Sequence, residues 1–265
     1  MKSLITLSTA LLSFSSLASY GAAVASDNAS NVLYNGGRID TGENGGSGFG
    51  TWTVTPGSNS GFAGNFEGSS DAGSDSWGFY ANTSNTSSAV RTFTTGGPSN
   101  VNFLAFQESF SLTMDNNSIN NGGTVGFGLQ NSSATNRLEF YFLGGDSAYT
   151  VNIGGTAYLL NGAGGRPNLP FTSTGLSITY FQQASNAFTL SITRLSDNAL
   201  FTVTNATTQS LAASDISQVR LFNFNAGGSN DQFFNNLVVV PEPTSAMLLG
   251  ASALASMFMM RRRRN

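Results

Sequence analysis

The chain has 265 residues, of which only 25 are charged, while Gly contributes 31 and Phe 21. It contains no cysteine and no histidine. Disulfides, thiol chemistry, Ser-His-Asp and Cys-His catalysis and ordinary zinc, haem and iron–sulfur sites are therefore excluded.

The N-terminus reads as an export signal. Met1 and Lys2 give a short positive start, and Leu4 to Leu17 is an apolar and Ser/Thr run. Ala23-Val24-Ala25 then fits the small-x-small rule and predicts a cut before Ser26, so residues 1–25 are the expected signal peptide. Secretion machinery and a signal peptidase are the implied partners.

The expected body, residues 26–240, carries 13 acids against 6 arginines, net −7. An acidic body disfavours nucleic acid and anionic lipid as partners. Gly42 to Ser76, dense in Gly, Ser and Asn, reads as long loops or a partly disordered stretch.

From there the hydrophobic period is two. Phe110, Leu112 and Met114 alternate with polar residues, as do Val125, Phe127 and Leu129; Leu138, Phe140 and Phe142; Leu176, Ile178 and Tyr180; and Phe188, Leu190 and Ile192. Each run predicts a strand with one buried face and one polar face. Gly- and Asn-rich clusters such as Asn121-Gly122-Gly123 and Gly144-Gly145-Asp146 predict the turns. The best helical stretch, Leu211 to Ile216, is short. About twelve strands predict a single all-β, jelly-roll-like sandwich.

Chemistry on this body must rest on carboxylates, tyrosine, serine or a bound ion. Glycosidases of this architecture use two acids about 5–10 Å apart, and the retaining type carries them as Glu-x-Asp-x-Glu on one strand, a spacing absent here. Glu139 is alone on its strand, and alternation puts it with Tyr141 on the polar face, where both can meet a sugar. Trp77 is a further residue able to stack on a sugar ring. Asp71 and Asp75 flank Ala72-Gly73-Ser74 and are the metal candidates. Calcium takes more oxygens than they and Ser74 offer, so the segment reads as an acidic turn, and no cofactor is expected.

The C-terminus is the most specific segment. Pro241-Glu242-Pro243 holds the backbone extended and open to a processing enzyme. Thr244 to Met260 is 17 residues without a charge, a helix of about 25 Å at the short limit for a bilayer. Arg261, Arg262, Arg263 and Arg264 follow and predict a cytoplasmic end with the body outside.

This order, residues 241–265, resembles the PEP-CTERM sorting signal of Gram-negative bacteria. The resemblance implies an exosortase-type transpeptidase as partner, an inner-membrane-tethered precursor, and delivery to the cell envelope or extracellular matrix. Phe110 to Asn131 and the closing stretch Gln232 to Val239 resemble, in turn, a concanavalin A/laminin G-like sandwich. Three functions follow in order: a non-enzymatic surface or matrix protein, a lectin-like module for exopolysaccharide, and a glycan hydrolase or lyase.

Overall fold

The computed structural model describes residues 22–34, 38–94, 104, 106–184, 187–204 and 215–241. The signal run Leu4–Leu17, most of Leu211–Ile216, Glu242, Pro243, the apolar span 244–260 and Arg261 to Arg264 lie outside the described residues.

The described residues form an all-β sandwich of two antiparallel sheets, as the period-two pattern predicts. The strands are β1 (Ala25–Asp27), β2 (Phe49–Thr55), β3 (Ala63–Ser70), β4 (Gly73–Ala81), β5 (Thr86–Phe93), β6 (Glu108–Asn116), β7 (Thr124–Gln130) and β8 (Asn136–Leu143). They continue as β9 (Thr150–Ile153), β10 (Thr156–Leu159), β11 (Leu176–Ala184), β12 (Ala187–Arg194), β13 (Leu200–Thr204), β14 (Gln218–Phe224) and β15 (Gln232–Pro241). One sheet runs β13-β12-β11-β6-β15-β4-β3 with β1 added beside β15, and the other runs β10-β9-β8-β7-β14-β5-β2.

Alternation places Phe110, Leu112, Val125, Phe127, Phe140, Phe142, Phe188, Leu190 and Leu237 between the sheets, all buried as expected. Aromatic rings bridge the layers: Phe93 meets Phe110 edge-on at 5.6 Å, and Phe110 lies 6.4 Å from Phe127. Such ring pairs add directional attraction to the apolar burial.

Fifteen strands exceed the expected twelve, partly because β1, β9 and β10 are too short to show a period. Gly42 to Ser76 is the correction. It holds β2, β3 and the start of β4 rather than loops or disorder. The apolar signal is diluted there because small and polar residues occupy much of β3. Asn65, fully buried, accepts the Ile39 N–H at 2.9 Å. Gly68 lies under the rings of Phe66 and Phe233 and Gly78 under that of Phe66, and these rings supply the cover that side chains would give.

One ion pair is buried in the core. The Arg91 guanidinium pairs with the Asp27 carboxylate, both side chains wholly inaccessible to solvent. Arg91 also donates to the Gly50 carbonyl at 2.8 Å and to Asn44 Oδ1 at 2.6 Å, and lies 4.9 Å from the Phe49 ring. Burial raises the Asp27 pKa, against hydrogen bonds and the charge of Arg91 that lower it.

Candidate functional site: a glycine-floored trough

The outward positions of β7 are Thr124, Gly126, Gly128 and Gln130. The pairing of β7 with β8 and β14 sets three rows across the sheet. They are Glu139–Gly128–Arg220, Tyr141–Gly126–Phe222 and Leu143–Thr124–Phe224. Two glycines thus leave a floor without side chains, walled by β8 on one side and β14 on the other. A hollow of about 360 Å³ runs along these rows, lined by Glu139, Tyr141 and Leu143 of β8, Thr124 of β7 and Arg220, Phe222 and Phe224 of β14, and reaches Thr86 on β5.

The floor depends on glycine differently at its two positions. A Cβ on Gly126 would lie 2.1 Å from the Phe140 carbonyl oxygen, so only glycine fits there. A Cβ on Gly128 would meet Asn136 Oδ1 at 3.3 Å and Glu139 Cγ at 3.4 Å, a tight but adjustable fit.

Glu139 is held from behind. Asn152 on the paired strand β9 donates Nδ2–H to Glu139 Oε2 at 3.0 Å. The Asn152 Oδ1 atom is buried with no hydrogen-bond partner. Burial pushes the Glu139 carboxyl above its ordinary value, with the charge of Arg220 and the Asn152 bond opposing. The Tyr141 hydroxyl is raised by burial and then by the negative charges of Glu139 and Asp146. The Arg220 guanidinium lies 5.1 Å from the Phe222 ring and does not close to an ion pair with Glu139.

The trough therefore offers a carboxylate acceptor on one wall and a guanidinium donor on the other, with Tyr141 beside the first and an exposed Phe224 ring further along. A ligand bearing hydroxyl groups can donate to Glu139, accept from Arg220 and lay an apolar ring face on the aromatic wall.

Glu139 and Tyr141 are brought together here. Arg220 and Phe222 escaped the sequence reading, although Val219-Arg220-Leu221 carries the same alternation and marks Arg220 as outward. Trp77 is elsewhere. It is 1% exposed, packed 5.6 Å from Tyr34 and 5.4 Å from Trp52, and belongs to the core, so it does not face a sugar. The burial reflects its inward register on β4, where large aromatics gain most from leaving water.

Asp71 lies in the turn from β3 into β4, and Asp75 lies within β4 itself. The Asp71 N–H donates to Asp115 Oδ2 at 3.1 Å, and the Asp75 carbonyl accepts from Asn235 Nδ2 at 2.6 Å. No group of three or more acids able to hold a metal occurs among the described residues. A second hollow, about 380 Å³, lies between the strands that end the two sheets, β10 and β13, and is lined by Tyr158, Arg166, Thr202 and Thr204 among others.

At the termini, Ala23 is exposed, whereas Ala25 and Ser26 are in β1, paired with Val239 and Val238 of β15. Pro241 is the last residue of β15, opposite Glu108 of β6. No helix among the described residues is long and apolar enough to cross a membrane.

Residues 239–264 match the PEP-CTERM protein-sorting motif. The chain carries a PEP-CTERM sorting signal. Val239 to Pro241 belong at once to that signal and to β15, so the sorting segment begins inside the sandwich.

No curated protein sequence matches the chain. Solved structures similar to the chain include the CBM2 module of the evolved Dit of Lactobacillus casei BL23 phage J-1. It is 12% identical, with 82% of this chain and 97% of that one covered and a TM-score of 0.48. The Trypanosoma cruzi calreticulin globular domain is 11% identical over 79% of this chain and 95% of its own, with a TM-score of 0.45. A Bauhinia forficata lectin in complex with GalNAc is 11% identical over 81% and 96%, with a TM-score of 0.40.

Proposed function

We propose that the PEP-CTERM protein is an exported, exosortase-sorted, non-enzymatic surface or matrix protein that binds exopolysaccharide through the trough on its seven-stranded sheet. The sorting motif supports delivery to the envelope or matrix. The observation that carries the binding reading is the Glu139–Gly128–Arg220 row, with Tyr141 and Phe222 in the row beside it.

A glycosidic bond is hydrolysed by two carboxyl groups flanking it. Here the group facing Glu139 across the trough is a cation, which suits hydrogen-bonded recognition of hydroxyls. An open groove with few polar contacts fits modest affinity for a repeating polymer, multiplied by many sites along the chain.

The test is glycan-array and calorimetric binding on the mature protein. Glu139→Gln removes a charged acceptor and should weaken binding ten- to a hundredfold, since hydrogen bonds to charged groups contribute about 1.5–3 kcal/mol. Tyr141→Ala should weaken it about tenfold, and neither change should alter the circular dichroism. Parental binding by both variants toward every glycan that the parent binds would remove the trough from the function.

A further inference from the structure

The processed N-terminus is written into the sandwich. We propose that signal peptidase cuts between Gly21 and Ala22, four residues earlier than the Ala23-Val24-Ala25 triplet suggests, and that residues 22–25 stay in the mature protein. The inference rests on the export reading above and assigns its N-terminal processing site.

The strand β1 extends to the N-terminal side of Ser26. The Val24 N–H donates to the Val239 carbonyl at 2.9 Å, and Ala25 pairs with Val239. Ala25 is 1% exposed and part of the central apolar core. The loop before β2 is shaped to these two residues. Gly48 has φ +73°, and a Cβ there would lie 2.4 Å from the Val24 carbonyl oxygen and 2.5 Å from the Ala25 Cβ. On the other side of the same loop, Ser26 and Ser47 exchange backbone hydrogen bonds at 2.9 and 2.8 Å.

A cut before Ser26 removes Val24 and Ala25 and leaves the Val239 carbonyl and the Gly48 surface without the backbone that fits them. It also puts a new ammonium group at Ser26, where a neutral amide now bonds Ser47. Buried backbone groups are nearly always paired, so that loss is a cost the fold would carry permanently. Ala22 and Ala23, by contrast, are exposed, and the first buried residue among the described ones is Ala25.

The sequence supplies a suitable site. Ser19-Tyr20-Gly21 has small residues at the first and third positions, directly after the apolar run that ends at Leu17 and Ala18. Hydrolysis there adds the hydroxyl of water to the Gly21 carbonyl and its proton to the Ala22 nitrogen. The mature chain then begins with two exposed residues leading into β1. It also begins beside its other processed end, because Ala25 faces Val239, two residues before Pro241.

The test is the N-terminus of the exported full-length gene product, read by mass spectrometry, for the parent and for Ala23→Asp. A charge at position 23 blocks any cut that uses Ala23 as a small residue, which both the Ser26 and the Val24 starts require. Because Ala23 is exposed, the substitution leaves the sandwich intact. The expected result is a start at Ala22 in both proteins. A parental start at Val24 or Ser26, or accumulation of uncut Ala23→Asp precursor, overturns the assignment while leaving export in place. An exported parent that retains Met1 overturns it together with the export reading.

Discussion

Glu139 and Arg220 oppose one another across Gly128, each register-paired with that glycine from a different neighbouring strand. Strand spacing sets their separation, and the open space between them is a consequence of one missing side chain. With any larger residue at position 128, the two charges would flank a filled ridge, and the sheet would present an ordinary polar face.

The acid in this row carries a pH signature. Its carboxyl pKa is raised above the ordinary 4.5, chiefly by burial. A glutamate raised in the folded state contributes stability that is present below the unfolded pKa and lost as pH rises through the folded one. Glycan binding that uses the ionised acceptor runs the other way. It should weaken as pH falls through the raised value, at a pH where an ordinary surface glutamate is still charged. Affinity measured from pH 8 down to 4 should show this fall in the parent and a flat profile in Glu139→Gln.

The buried pair predicts a stability effect remote from the trough. Arg91→Met leaves the Asp27 carboxylate in the core without its counter-ion and should cost about 3–5 kcal/mol. Asp27→Asn with Arg91→Met should recover much of that loss, since removing both charges relieves both desolvation penalties. Urea unfolding of the two variants measures the difference.

How much of this could be read from the sequence differs between the fold and the site. Phe127, Phe140 and Leu190 announce their burial through strict alternation, because one face of a strand must leave water. Glu139 and Tyr141 are found by the same rule. Gly126 and Gly128 also sit in that alternation, yet their meaning depends on which residues β8 and β14 bring beside them, and register between distant strands is not a local property of the chain. Trp77 shows the opposite limit. A Trp in a period-two run has the same signature whether its face is core or groove, and only the packing of Tyr34 and Trp52 against it decides.

The sorting signal predicts a second cut. In cells with an exosortase, the mature protein should lack Thr244 onward; without the enzyme, the precursor should stay in the membrane fraction. Mass spectrometry of protein recovered from the matrix checks both. The retained end should include Val239 and Val240, which pair with Phe110 and Ser109 of β6. Protein recovered from the matrix with Arg261 to Arg264 intact would contradict the processing.

The most direct measurement is calorimetric titration of the producing cell's own exopolysaccharide into the mature parent and into Gly128→Val. The valine side chain rises from the floor between Glu139 and Arg220, and its branched form suits a strand. Its Cβ meets Asn136 Oδ1 at 3.3 Å and Glu139 Cγ at 3.4 Å, which small side-chain shifts accommodate, and the Leu138 carbonyl oxygen at an ordinary contact distance of 3.6 Å. The account predicts parental binding lost at least tenfold in Gly128→Val, with a melting temperature within about 2 °C of the parent, the shift that ~0.5 kcal/mol produces in a domain of this size. Undiminished binding by a folded Gly128→Val protein would contradict the trough as the glycan site.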